Sequence, residues 1–505
     1  MGIMNSKHPL GLLLVFAFAA CSDDSGGDLQ PLVPRSIASA GGDGQSAPVG
    51  AALPQPLRVL VTDGGGNEAP GVAVSWSVTQ GGGTIAASST TGQDGIASAQ
   101  LTLGPAAGEH RAQAQVTGLA GSPVAFSATA TGAGPPPPPG FELSVLSGGN
   151  NVPERFSSDL WVHGSYAYTG TWSERAEVGN VLKVWSLGAA GSPTLVGSVT
   201  VPGIGTVSDV QVTDDGQLLV LSGERGPGGG IFLYSLSNPA APSFLGSALV
   251  GNAGVHTVTL STINGRLYAF AARNPSLPQV AANDPALLIY DITDPRAPTL
   301  VSRVPFPERD YGIHDTFVRD GIAFAFVWDN PGVVIFDVGN GVQGGSPQAP
   351  AEMSRLVTLE NGICCGPSVH NGWWFHNPVS GEKRYLFIGQ EGAAVVGSQS
   401  SGDIHVVDVS DLANPTEVAF FHLDGAGTHN FWMDEQKQIL YAAYYNAGVV
   451  ALDVSGTLSG DLSNRLLGQV RPGGAGNTFT WGVQLANGSL YAIDMLSGLW
   501  QLTTE

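Results

Sequence analysis

Apolar and polar residues alternate with a period of two along much of this chain. Leu57-Arg58-Val59-Leu60-Val61 and Val72-Ala73-Val74-Ser75-Trp76-Ser77-Val78 show the alternation near the N-terminus, and the stretches 63–67, 81–83 and 94–95 punctuate it with turn residues. Helical signals are almost absent, since no long segment keeps an apolar spacing of 3.6. The pattern predicts an all-β protein of short strands.

From Gly140 onward the pattern repeats about every 40 to 50 residues, the spacing of β-propeller blades. Each unit opens with a short β-favouring run. A second strand follows, such as Tyr166-Ala167-Tyr168, Leu267-Tyr268-Ala269-Phe270 or Leu440-Tyr441-Ala442-Ala443. A third strand ends near an aspartate and a proline. Its starts fall near Val181, Ile231, Leu287, Val333, Asp403, Val449 and Leu499, which predicts seven blades. The last unit stops after its third strand. Glu142-Leu143-Ser144-Val145-Leu146-Ser147 matches the fourth-strand position, as in Thr194-Leu195-Val196-Gly197-Ser198-Val199. The first strand of the domain is therefore expected to complete the last blade and leave no open edge.

Two family resemblances sharpen this division. Leu288-Ile289-Tyr290-Asp291-Ile292-Thr293-Asp294-Pro295, Ile404-His405-Val406-Val407-Asp408-Val409-Ser410-Asp411 and Val333-Val334-Ile335-Phe336-Asp337-Val338 look like LVIVD repeats. That resemblance implies a β-propeller over residues 141–505. The string Val61-Thr62-Asp63, Pro70-Gly71-Val72, Trp76, Gly95-Ile96-Ala97 and Leu101-Thr102-Leu103-Gly104 resembles the bacterial Ig-like domain of the invasin and intimin type. It implies an antiparallel sandwich over residues 36–132 that acts as a spacer without catalysis. Residues 133–140, with Pro135 to Pro139, form a stiff proline-rich linker between the two.

The N-terminus points to an extracytoplasmic protein. Lys7 and His8 precede an apolar run from Leu10 to Ala20, too short for a bilayer span and suited to a signal-peptide core over residues 1–20. Phe18-Ala19-Ala20-Cys21 resembles the lipobox of bacterial lipoproteins, which implies cleavage before Cys21 and its acylation. Ser22 after it favours the outer membrane under that family's sorting rule, on the periplasmic or cell-surface face. Residues 21–35 would form the tether. Charged residues are 12% of the chain and the net charge is −21, which excludes a phosphate-backbone partner because nucleic-acid binding requires a basic surface.

The candidate chemistry lies at the strand openings. Gly254-Val255-His256, Gly312-Ile313-His314, Ser368-Val369-His370 and Gly427-Thr428-His429 each lead into a strand, in four consecutive units. The innermost strand of a blade lines the axis, so these imidazoles are expected at one depth, facing a common point. Imidazole suits Fe, Cu or Zn. The arrangement is geometrically similar to that of carotenoid cleavage oxygenases, where propeller histidines hold iron. Second strands end at the same mouth and bring Glu224 and Glu391 close as acceptors for imidazole N–H groups. Asp159, Asp209 and Trp481 occupy the same slot in units without histidine, the aspartates as ligands or as caps for backbone amides and Trp481 as the floor of a pocket. Asp315, Asn371 and Asn430 follow three of the histidines and by alternation should point between blades. Cys364 and Cys365 are adjacent, and an extracytoplasmic location favours a vicinal disulfide there or a free thiol pair.

Two functions fit these residues. One is a lipid-anchored surface module that binds an extracellular protein, glycan or small-molecule ligand. The other is a metal-dependent extracytoplasmic enzyme, an oxidoreductase in one form, that uses the four histidines.

Overall fold

The computed structural model describes residues 33–48, 50–104, 108–131, 141–150, 153–173, 175–188, 192–273, 286–306, 312–328, 332–356 and 368–504. Cys21, Cys364, Cys365 and the proline-rich linker lie outside them. Two compact units are present.

The N-terminal unit is an antiparallel sandwich. A three-stranded sheet joins Pro34–Gly41, Leu57–Asp63 and Ile96–Ala99, and a five-stranded sheet includes Ala73–Gln80, Gly108–Gln115 and Val124–Thr131. The period of two does its work here: Leu57, Val59 and Val61 are buried while Arg58 between them is exposed. Trp76 and Phe126 meet in the core with ring centroids 6.0 Å apart.

The C-terminal unit is a seven-bladed β-propeller. Its innermost strands are Phe156–His163, Thr206–Val212, Thr257–Ile263, Ile313–Arg319, Val369–Phe375, Phe431–Asp434 and Thr480–Ala486. Third strands begin at Val181, Gly230, Ala286, Val333, Ile404, Val449 and Gly498, each within one residue of the position expected from the sequence. The last blade is completed by Ser144–Asn150, which pairs antiparallel with Gly498–Thr503. The ring then shuts between the seventh and first blades. Gln484 accepts a hydrogen bond from Val162 N at 2.5 Å and donates one to Val162 O at 3.1 Å. Leu160 and Val162 also share a core with Tyr491 and Ile493.

Burial follows from position in the blade. Second and third strands have neighbouring blades on both faces, so Leu218–Glu224 and Val333–Asp337 are buried throughout and read as continuous apolar runs. Outermost strands such as Thr194–Thr200 are mostly exposed. The aspartate that ends a third strand has a local task. Asp291, Asp408 and Asp453 accept the backbone N–H two residues on and start the turn to the outer strand.

Asp337 extends this device. Its carboxylate accepts N–H bonds from Gly339, Asn340, Gly341, Gln343 and Gly345, and it is fully buried. Burial works against the charged form, and the five donors outweigh it, so the carboxyl is held down at about 2. A depressed folded-state value contributes stability above the unfolded value near 3.9, lost as pH falls through about 2. Asp337→Asn is expected to cost about 2 kcal/mol at pH 7, and the gap between parent and variant should narrow below about pH 4 and close near pH 2 in denaturant melts.

Candidate metal centre at the channel mouth

Five of the seven innermost strands carry a β-bulge where they enter the channel. In the fourth blade Ile313 pairs with Val327 and Asp315 with Phe326, so His314 is the extra residue. In the fifth and seventh blades His370 and Trp481 are the extra residues in the same way. A bulge interrupts alternation, and the bulged residue and its successor can both face the axis. This corrects two expectations. Asp315 and Asn430 line the channel instead of the walls between blades, whereas Asn371 borders the cavity with its Oδ1 over Gly389, toward Thr428 of the next blade. Asp159 and Asp209 match Asp315, one residue deeper than the histidine slot, because the pairing breaks span Ser157/Leu160 and Val207/Val210. Ser158 and Ser208 hold the histidine position in the first two blades. A one-residue insertion in pairing leaves no mark in the local pattern.

The channel holds a cavity of about 250 Å³ whose walls include His256, His370, His429 and Trp481. The four histidines form a continuous row. Ring centroids are 4.2 Å apart for His256 and His314, 4.2 Å for His314 and His370, and 3.9 Å for His370 and His429, with Trp481 a further 4.2 Å on. They do not all meet at one point. The compact set is His314, His370 and Glu391, whose donor atoms lie within 4.8 Å of one another.

Glu391 was expected as an outer acceptor, and the structure turns it inward. Its Oε2 is 3.9 Å from His314 Nε2 and 3.6 Å from His370 Nε2. Those spacings are too long for hydrogen bonds. Donor atoms on bonds of about 2.0–2.2 Å at tetrahedral angles sit about 3.4 Å apart, so the spacing suits ligands around one ion. The Tyr445 hydroxyl donates to Glu391 Oε1 and fixes the carboxylate. His370 is 2% exposed and neither ring nitrogen has a hydrogen-bond partner; His314 Nδ1 has none either. Buried unpaired nitrogens of this kind fit a metal.

The flanking histidines are held by outer partners. His256 Nδ1 lies 2.9 Å from Glu224 Oε1 and 3.2 Å from Ser208 Oγ, and His429 Nδ1 donates to Trp481 O at 2.7 Å. Burial lowers His314 and His429 well below the usual histidine range. Burial and the charge at His256 lower His370 to about 3. For His256 burial also pulls downward, but Glu224 reverses it and the net shift is upward. Burial raises Glu391 to about 7 against the Tyr445 bond. Neutral imidazoles present free lone pairs, the form that ligates.

Below the histidines, Asp209 Oδ2 accepts Val258 N at 2.7 Å and Asp159 Oδ1 accepts Asn430 Nδ2 at 2.8 Å. Two residues further in, Trp161, Phe317, Trp373 and Trp432 form an arc. Trp374 and Trp500 do pack in walls. Among the other histidines, His405 pairs with Glu417, and His422 lies between Asp403 and Asp424.

Comparison with known proteins bears on both units. Residues 54–133 match the bacterial Ig-like domain (group 1), and residues 279–305 and 396–422 match the LVIVD repeat. No curated protein matches the chain in sequence. Similar solved structures include the β-propeller domain of Cps50 (Swd1) from Myceliophteria thermophila, 12% identical with a TM-score of 0.47, covering 70% of this chain and 99% of that one. Sqt1 from Saccharomyces cerevisiae is 11% identical with a TM-score of 0.46, covering 71% and 85%.

Proposed function

We propose that this chain, a group 1 bacterial Ig-like domain followed by a seven-bladed propeller with LVIVD repeats, is a lipid-anchored extracytoplasmic binding protein whose propeller holds a transition-metal ion. The observation that carries the metal reading is the approach of His314 Nε2 and His370 Nε2 to one carboxylate oxygen of Glu391, with both His370 nitrogens buried and unpaired. Two imidazoles and a carboxylate suit Zn(II) or Fe(II) and leave coordination positions open. An open position beside a cavity also favours the second reading, a metal-dependent enzyme acting on a small molecule. The Phe18-Ala19-Ala20-Cys21 signature supports the anchor, and the sandwich serves as a spacer.

Elemental analysis of the purified protein tests the metal reading. One Fe, Cu or Zn per chain is the expected result; protein that stays metal-free after incubation with each ion at micromolar concentration overturns it. Tyr445→Phe is expected to weaken metal binding by about 10- to 100-fold in a competition titration, because Glu391 loses the hydroxyl that orients it. Cys21→Ser should move the protein from the membrane fraction to the soluble one.

A further inference from the structure

The propeller channel has a second mouth, at the end away from the imidazoles. First strands turn into second strands there, and four of these hairpins turn on two residues: Gly164-Ser165, Asn264-Gly265, Asp320-Gly321 and Asn487-Gly488. In the last three both residues have positive φ, the tight turn that matches the twist of paired strands. Turns this short leave little chain to fold over the opening.

A cavity of about 460 Å³ lies at this mouth, lined from the fourth, fifth and sixth blades and by Leu485 of the seventh. It falls in the size range of small-ligand sites. Its wall is aromatic. Phe317 and Trp373 have centroids 5.3 Å apart, Trp432 joins Trp373 at 5.3 Å, and all three rings are only half-buried. Trp374, beside Trp373, is by contrast buried between blades. Rings left partly uncovered inside a cavity offer their faces to a ligand. These rings are tilted to their neighbours by 48° and 58°, so a flat aromatic molecule cannot lie sandwiched between them. A puckered ring that turns C–H groups outward on several sides fits such a curved wall.

The rim supplies fixed polar groups. Arg319 forms a two-pronged ion pair with Glu435, Nη1 to Oε1 at 2.5 Å and Nη2 to Oε2 at 3.1 Å. Glu435 Oε1 also accepts Trp373 Nε1 and the His376 amide, each at 3.2 Å. These bonds lock the pair to the aromatic wall, and both side chains stay partly open. Arg319 keeps N–H groups that these bonds do not use, and Glu435 Oε2 keeps a lone pair. A donor and an acceptor side by side match neighbouring hydroxyls on one ring. Asp434, also at the rim, accepts the Lys437 amide and caps the turn. The charges of Arg319 and Glu435 cancel within the pair, which favours a neutral ligand over an ion.

We propose that this mouth binds a neutral pyranose ring. One face of the sugar lies on Trp373 and Trp432 with Phe317 at its edge, and two adjacent hydroxyls bond to Arg319 and Glu435. The inference goes beyond the metal reading, uses none of the three residues of that centre and does not require the ion.

Isothermal titration of the full chain tests it, with the methyl glycosides of glucose, galactose, mannose and N-acetylglucosamine as probes. Saturable binding of at least one, with a millimolar or tighter Kd, is expected, together with a change in tryptophan fluorescence. Trp432→Leu and Arg319→Gln should each weaken it at least tenfold, in protein shown by thermal melting to remain folded. The fluorescence response of the parent carries the test where a variant does not fold. A trisaccharide of the bound sugar that binds at least tenfold tighter identifies a glycan chain as the source, and equal affinity identifies a single ring. No response to any of the glycosides overturns the inference. So does equal affinity for cyclohexanol, because the hydroxyls are then not read, and so does full affinity in both folded variants, which places the sugar elsewhere. Elemental analysis of the same preparation keeps the two sites separate. Metal without sugar binding overturns only this inference, and sugar binding without metal overturns only the metal reading.

Discussion

Replacing His370 with leucine should weaken Zn(II) or Fe(II) binding at least 100-fold while leaving the metal-free protein as stable as the parent or more so. The two halves of this result have one cause. His370 is 2% exposed and both of its nitrogens lack hydrogen bonds, so the folded chain bears a desolvation cost of about 1–3 kcal/mol for each. An apolar side chain of similar size avoids that cost and keeps contact with the rings of His314 and His429. Losing an outer partner of a ligand already weakens a metal site by about 10- to 100-fold, and losing a ligand should exceed that. His314→Ala and Glu391→Gln should match His370→Leu, whereas His256→Ala should have less effect because its Nδ1 is engaged by Glu224. Equal losses from all four histidines would restore the symmetric four-imidazole site. No loss from any would remove the metal centre altogether. Metal affinity by competition titration and Tm by calorimetry decide between these outcomes.

Val145→Pro together with Leu146→Pro should open the ring. Both residues lie in Ser144–Asn150, the strand that completes the seventh blade by pairing with Gly498–Thr503. Their side chains are exposed, so the strand contributes mainly through its backbone. Val145 pairs with Leu502 and Leu146 sits at the bulge before Ser147, so two consecutive prolines remove both N–H groups that the strand can offer the ladder at that point. The seventh blade would then present a free edge, prone to pairing with another chain. A loss of about 3 kcal/mol corresponds to a fall in Tm of about 4 °C for a unit of this size, accompanied by aggregation. A Tm within 1 °C of the parent would show that the blade is closed by side-chain packing instead. The same pair of substitutions in an exposed outer strand such as Thr194–Thr200 is the matched control.

Most of the architecture was legible along the chain because its signals are local. Seven third strands announced themselves as apolar runs, four of them ending in an aspartate, and Asp291, Asp337, Asp408 and Asp453 each cap the turn two residues on. The closing strand was legible for the same reason, since Glu142 to Ser147 carried the fourth-strand pattern, although pairing runs from Ser144 to Asn150. The recurrence of His256, His314, His370 and His429 at one slot also needed only counting.

What counting could not settle was which way neighbouring residues face. Alternation sent Asp315 into the walls, and only the pairing of Ile313 with Val327 and Asp315 with Phe326 reveals the bulge that turns it inward. Glu391 was assigned to the outer sphere, yet its carboxylate lies 3.9 Å from His314 Nε2 and 3.6 Å from His370 Nε2, beside the ring nitrogens themselves. The arc of Trp161, Phe317, Trp373 and Trp432 draws on four blades spread from the first to the sixth. Strand identity is a property of a few adjacent residues. Bulge placement and convergence on an axis depend on partners tens to hundreds of residues away, so they exist only once the ring has closed.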